Sequence, residues 1–295
     1  MMVTRLPLVS VLMPIYKEPK EQIKSSVESI LNQSYKNIEL VVIIDDPNNI
    51  NAINYLRDTS KKDLRVNVKI NSRNLGITSG LNRAIGFAKG ELIARMDADD
   101  ISKRDRIYLE LQFMKKNKLD LVASNVQSMS QNGKILDGKV TNYPSKDIYI
   151  KQYLRYYNCL PHPTWLGKRE LFIKLNGYRN IPTCEDYDFL LRGAGYHYKY
   201  GLVREPLLYY RENQNSISKS NIELQRLISD FIRKKYIYEK NYTVTSVNKY
   251  IDEVLKRSSL KEKLIYNALQ GRLLFDRIKG KFFRSLILKK ENVKK

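Results

Sequence analysis

Five apolar runs of strand length, separated by segments with helical periodicity, fill the chain from Val9 to Ser124 and leave few folds open to it. Val9 to Ile15 is an apolar run with β-branched residues, a pattern suited to a strand buried on both faces. Pro19 fits a first helical position, and Ile23, Val27, Ile30 and Leu31 follow at helical spacing. Glu39 to Ile44 reads as a second buried strand, Ile50 to Arg57 as a short helix, and Leu64 to Ile70 as a third strand. Ile77, Leu81, Ala84, Ile85 and Ala88 mark a helix that Gly90 is expected to close as a C-terminal cap. Glu91 to Met96 reads as a fourth strand. A helix near Arg104 carries Ile107, Leu111 and Met114 on one face, and Leu119 to Ser124 follows as a fifth strand. Such alternation predicts an α/β fold, an open and mostly parallel sheet with helices on both faces. Ligands of such sheets bind beyond the carboxyl ends of the strands.

The second half is less regular. Asn132-Gly133 predicts a hairpin turn between VQSMSQ and KILDG. Lys146 to Tyr157 and Asp186 to Gly195 read as helices, and His197 to Val203 as a strand. From Asn221 the pattern turns helical: Leu224, Leu227, Ile228, Phe231 and Ile232 form a stripe behind an N-cap at Ser220 or Asn221. Further helices are expected over Val247 to Lys256 and Leu260 to Phe275. These patterns predict a domain over residues 1–220 and a basic helical extension over 221–295.

Three acidic clusters carry the chemical signal. Asp97, Asp99 and Asp100 follow the fourth strand, where three carboxylates in four residues repel one another unless a cation joins them. Mg²⁺ or Mn²⁺ prefers such oxygen ligands and bridges carboxylates to phosphates. The structural alternative is an acidic N-cap for the following helix. Asp45 and Asp46 follow the second strand, where a carboxylate can accept hydrogen bonds from a base or a ribose. Asp-Pro-Asn is also good turn chemistry. Glu185 and Asp186, in CEDYD, precede an apolar helical stretch. A carboxylate there can take the proton from an attacking hydroxyl, or simply begin the helix.

The order VSVLMPIYKE, SILNQSY, ELVVIIDD, NLGITSGLNRAIGFAKGELIARMDADD and CEDYDFLLR resembles family 2 of the glycosyltransferases, which has the GT-A fold; the likeness spans roughly residues 8–218. The resemblance implies a GT-A catalytic domain over 1–220. It implies a metal-dependent transferase that moves a sugar from a nucleoside diphosphate, uridine by this likeness, with inversion at the anomeric centre. Pro14, Tyr16 and Glu18 match the start of the nucleotide pocket. Asp46 matches the base-contacting aspartate, with Asp45 beside it; Arg73 and Asn74, before Gly76, either approach the nucleotide or form a simple turn. Asp97 and Asp99 match the Asp-x-Asp motif around Ala98, which holds metal and diphosphate, with Asp100 adjoining. Asp186 matches the catalytic base and Glu185 its neighbour. Arg211, in LLYYRENQNSIS, is placed to neutralise the diphosphate; Asn213 stands where the family often has histidine. His162 and Trp165 fall where the family lines the acceptor side, although either can equally serve the core. The loop DDPNN departs from the commoner DDGS.

The formal charge of +22, from 53 Lys+Arg against 31 Asp+Glu, calls for an anionic partner or reflects a Lys-rich, soluble surface. The tail around Phe282, Phe283, Leu286 and Ile287 suits an anionic membrane surface, and hence a lipid-linked saccharide acceptor. The alternative is a solvated terminus. Two widely spaced cysteines and no apolar stretch of spanning length are consistent with a cytoplasmic protein, peripheral at the inner membrane face. The competing functions are a nucleic-acid-binding protein, disfavoured because acidic turns repel phosphates, and a metal-dependent nucleotidyltransferase.

Overall fold

A computed structural model describes residues 6–212, 222–239, 242–256 and 288. The chain divides into two compact units. The first comprises residues 1–142, 160–178 and 198–213; the second comprises 143–159, 179–197 and 214–295. In this division the segment carrying Glu185 and Asp186 groups with the C-terminal helices.

The first unit opens with β1 (Val9–Ile15), α1 (Lys20–Leu31), β2 (Ile38–Ile44), α2 (Ile50–Lys62), β3 (Val66–Ile70), α3 (Ile77–Phe87) and β4 (Leu92–Arg95). It continues with β5 (Ile101–Ser102), α4 (Arg106–Lys116), β6 (Leu121–Met129) and β7 (Ile135–Val140). It ends with β8 (Leu166–Lys168), α6 (Arg169–Lys174) and β9 (Tyr200–Arg211). The sheet order is β3-β2-β1-β4-β8-β6-β9-β5, with β7 on β6. β3, β2, β1 and β4 are parallel, as the alternation predicts. Beyond β4 the sheet is mixed: β8 runs antiparallel to β4 and β6, whereas β6 and β9 are parallel. Leu12, Leu40, Val41, Val42 and Ile43 are wholly or almost wholly buried, as expected of strands covered on both faces.

Three details differ from the sequence reading. Pro19 stands one residue earlier than expected, at the N-cap of α1. Leu166–Lys168 and Ile101–Ser102 are strands too short to show a period, and β6 and β9 run several residues past their expected ends. α3 ends at Phe87, with Ala88 as its cap. Gly90 is instead where two backbones meet: a Cβ built there lies 2.5 Å from the Leu8 carbonyl oxygen and 2.8 Å from the Ser10 nitrogen. The hairpin turn is as predicted, with Gly133 at φ 87°.

The second unit holds α5 (Asp147–Leu154), α7 (Glu185–Gly195), α8 (Ile222–Lys234), a π-helical turn (Lys235–Glu239) and α9 (Val244–Lys256). Ile228, Ile232 and Val247 are wholly buried there, consistent with the apolar stripe. The expected caps at Ser220 or Asn221, the helix over Leu260 to Phe275 and the basic tail lie outside the described residues, as does Asn213. Among the described residues no helix is long and apolar enough to cross a membrane.

Gly90→Ala must push β1 away from the turn before β4. Its expected cost is about 1–3 kcal/mol, read as a lower denaturation midpoint; an unchanged midpoint contradicts the close approach.

Candidate active site

The parallel register fixes where the acidic turns emerge. Ile15 of β1 lies beside Ile44 of β2, which lies beside Ile70 of β3. Tyr16–Glu18, Asp45–Asp46 and Asn71–Gly76 therefore leave the sheet at one level of one edge. Pro14 pairs with Ile43 just below that rim. Asp45 is buried, and its carboxylate accepts hydrogen bonds from Asn71 Nδ2 (2.6 Å), the Leu75 nitrogen (2.9 Å) and the Gly76 nitrogen (2.8 Å). Asp46 is half-buried and accepts from the Asn48 nitrogen at 2.9 Å. Asn49 caps α2 through the Ala52 nitrogen and reaches the Tyr16 carbonyl, tying the β1 and β2 turns together. Tyr16 is 38% exposed, with the Lys17 ammonium 4.9 Å from its ring centroid. Asn74 is exposed, and its side-chain oxygen accepts from the Gly76 nitrogen at 2.9 Å.

The next turn on this edge, after β4, carries three carboxylates. One oxygen from each of Asp97, Asp99 and Asp100 lies within 4.8 Å of the others. Asp97 is ion-paired with Arg95, which is buried in β4. Its main-chain carbonyl is held by the Ser26 hydroxyl at 2.8 Å. Burial, then the charges of Asp97 and Glu18, pushes the Asp99 carboxyl up to about 7. Asp100 is fully buried. Desolvation, then Asp97 and Asp99, holds its carboxyl well above the ordinary range. Its Oδ1 accepts from the Arg211 nitrogen at 2.8 Å, whereas Oδ2 has no hydrogen-bond partner among the described residues. Glu18, whose Oε2 accepts from the Tyr16 nitrogen at 2.7 Å, is raised chiefly by burial, with Asp97 adding to the shift. An orphaned buried carboxylate oxygen among three clustered carboxyls fits a hard divalent cation. The side chain of Ala98 belongs to the core.

In the second unit, Glu185 and Asp186 begin α7, where negative charge favours the helix N-terminus. Asp186 is half-buried. Its Oδ2 accepts from Asn158 Nδ2 at 2.7 Å and its Oδ1 from the Tyr187 nitrogen at 2.6 Å. Glu185 is buried.

The family profile described as Glycosyl transferase family 2 matches residues 10–175. The chain belongs to glycosyltransferase family 2. An uncharacterized glycosyltransferase of Methanocaldococcus jannaschii is 34% identical over 243 residues, covering 82% of this chain and 83% of the relative. The O-antigen biosynthesis glycosyltransferase WbnJ of Escherichia coli is 30% identical over 239 residues, covering 79% and 92%. Among solved structures, the mannosyltransferase PcManGT of Pyrobaculum calidifontis, in complex with GDP-Man and Mn²⁺, aligns with a TM-score of 0.60 at 15% identity. That alignment covers 97% of this chain and 86% of the other. It establishes the GT-A-type architecture that the sequence motifs imply.

Four expected site residues of this family 2 glycosyltransferase have other work in the structure. Asp45 accepts from three protein donors and holds the Asn71–Gly76 loop. Arg211 is buried, not a free counter-charge: its Nε donates to the Asp99 carbonyl at 2.7 Å and its Nη1 to the Gln131 carbonyl at 2.8 Å. Trp165 is 0% exposed and donates to the Leu160 carbonyl, so neither face of its indole is open to a sugar. His162 is 8% exposed, packs against Trp165 with centroids 4.5 Å apart, and bonds the Tyr178 hydroxyl at 2.9 Å. Burial, then the charge of Arg95, holds it neutral. Both are core residues rather than an acceptor wall. Arg95 escaped the sequence reading, although a lone charge inside the apolar run LIARM is its signature. Arg106 also escaped it; wholly buried, it donates to the Arg95 and Pro163 carbonyls at 3.1 and 2.7 Å.

The raised carboxyls fix the sign of a pH effect. A group whose pKa is higher in the folded than in the unfolded chain binds more protons when folded, so stability falls as pH rises between the two values. Asp99, raised from 3.8 to about 7, sets that window. Without divalent metal the melting temperature is expected to fall between pH 5 and pH 8. Mn²⁺ is expected to restore it more at pH 8 than at pH 5. Asp99→Asn should flatten the profile, and an unaltered profile in that variant contradicts the assignment.

Proposed function

We propose that the chain is an inverting, metal-dependent glycosyltransferase that moves a sugar from a nucleoside-diphosphate sugar, probed first as the uridine form, to an acceptor hydroxyl. The observation carrying this reading is the cluster of Asp97, Asp99 and Asp100 on the carboxyl edge of the sheet in a family 2 chain. Tyr16, Asp46 and Asn74 are the half-buried or exposed groups of the neighbouring turns, suited to stack on the base and to accept from it or the ribose. Asp97, Asp99 and Asp100 would hold Mg²⁺ or Mn²⁺. When bound, such an ion supplies positive charge against the diphosphate leaving group. The Mn²⁺ and GDP-Man of the Pyrobaculum mannosyltransferase support this assignment.

Asp186 is the proposed base, with Glu185 beside it. It takes the proton of the acceptor hydroxyl as that oxygen bonds to the anomeric carbon and the bond from carbon to the diphosphate oxygen breaks. A single displacement inverts the centre, and the nucleoside diphosphate leaves. Asn158, donating to Oδ2, orients the carboxylate. A lipid-linked saccharide in capsule, O-antigen or exopolysaccharide assembly is the proposed acceptor, with the chain peripheral at the inner membrane face. The O-antigen relative and the charge of +22 support that reading. A nucleotidyltransferase would release pyrophosphate instead of nucleoside diphosphate, and a nucleic-acid binder would need no acidic rim.

A thermal-shift panel of UDP-glucose, UDP-galactose, UDP-N-acetylglucosamine and GDP-mannose, with and without Mn²⁺, tests the donor. At least one is expected to raise the melting temperature only when Mn²⁺ is present. Asp186→Asn is expected to keep that shift while turnover falls about 10²–10⁴-fold. Near-normal turnover in that variant overturns the base assignment.

A further inference from the structure

The C-terminal helices take no part in the transfer chemistry proposed above, yet two of their contacts reach the turn that carries Asp186. Asp188, two residues along α7, is wholly buried with both oxygens engaged. Its Oδ1 accepts from the Tyr242 hydroxyl at 2.7 Å and its Oδ2 from Arg192 Nε at 2.8 Å, while Arg179 Nε spans both oxygens at 3.1 Å. Tyr242, between the π-helical turn and α9, is fastened a second time. Its carbonyl accepts from Arg179 Nη1 at 2.8 Å, and its ring centroid lies 4.5 Å from the Arg179 guanidinium. A buried carboxylate facing two arginines needs every hydrogen bond it makes, so this hub is rigid.

The second contact is at the start of the same turn. Thr183, a β-branched residue, sits at φ 59°, a left-handed conformation costly for its side chain, immediately before the N-cap Cys184. Gln225 of α8 donates through Nε2 to the Thr183 carbonyl at 2.9 Å. The Cys184 sulfur lies 3.1 Å from the Ser229 hydroxyl, one turn further along α8. A strained turn persists only where its surroundings over-determine it, and here those surroundings are supplied by α8 and by Tyr242.

We propose that the C-terminal helices are the frame that sets the position of the base, with Gln225 and Tyr242 as positioning residues acting through Thr183 and Asp188. This rests on the reading of Asp186 as the base. Sequence distance makes the point physical: 42 residues separate Gln225 from Thr183 and 54 separate Tyr242 from Asp188. The extension therefore belongs to the catalytic apparatus and is more than an anchor appended to it.

The test uses the full chain, Mn²⁺ and the nucleotide sugar of the panel above that gives the largest shift, with slow hydrolysis by water as the readout. Water then takes the place of the acceptor hydroxyl and yields its proton to the same carboxylate. Tyr242→Phe removes one hydroxyl and keeps the ring on Arg179; Gln225→Ala removes the grip on Thr183. Each is expected to lower kcat about ten- to a hundredfold, with donor affinity within about twofold of the parent. Neither is expected to lower the residual rate further when combined with Asp186→Asn, because the group they position is gone. A lower melting temperature with kcat unchanged overturns the proposal. So does an equal loss of rate in the parent and in Asp186→Asn, which leaves the base assignment standing. Near-parental hydrolysis by Asp186→Asn alone removes the base assignment and the proposal with it.

Discussion

The crowding of Glu18, Asp99 and Asp100 around the charge of Asp97 is the constraint around which the turn after β4 is organised. Burial raises the carboxyls of Glu18, Asp99 and Asp100, and the charge of Asp97 adds to each shift. The surrounding residues answer that charge in fixed ways. Arg95 pairs with Asp97 from within the sheet, the Arg211 main chain donates to Asp100, and the Arg211 guanidinium grips the Asp99 carbonyl. Ser26 of α1 holds the Asp97 carbonyl. The loop between β4 and β5 is thus pinned from three elements, while Asp100 Oδ2 keeps no partner among the described residues. Such a site is poised to gain a cation rather than to exist comfortably without one.

The acidic motifs share a division of labour between neighbours. Asp45 is buried and accepts from three donors, whereas Asp46 beside it is half-buried. Asp188 is buried and anchors Arg179, Arg192 and Tyr242, whereas Asp186 begins the helix half-buried. In each pair the inner carboxylate is engaged by protein donors while the outer one is less enclosed. The adjacency has a geometric basis: consecutive residues leaving a strand, or two residues apart in a helical first turn, face different surroundings. Substitution of an inner member therefore leaves its buried donors without an acceptor.

Much of this was legible from residue patterns. The first four strands and their helices follow from apolar runs, and parallel alternation places the turns after the second and fourth strands on one edge. Ile15 in register with Ile44, and Leu12 with Arg95, put those two turns on that edge. What stayed hidden depends on partners distant in sequence. No local pattern shows that Asp45 meets Leu75 and Gly76, that Trp165 is sealed inside, or that Arg211 is enclosed by the Gln131 and Asp99 carbonyls. The two-residue β5 and three-residue β8 are too short to display a period, so their antiparallel pairing could not be read. The boundary at 220/221 followed a change from mixed to helical pattern, whereas the compact units follow contacts that bring residues 143–159 and 179–197 together with the C-terminal helices.

The central claim is that the acidic turn after β4 exists to hold a divalent ion against a nucleoside diphosphate. Anomalous diffraction at the manganese edge, from crystals grown with Mn²⁺ and UDP, tests it without reference to turnover. A single manganese peak within bonding distance of the Asp97–Asp100 carboxylates, bridged to the diphosphate, is the predicted result. A nucleotide bound at the sheet edge with no manganese beside those carboxylates contradicts it.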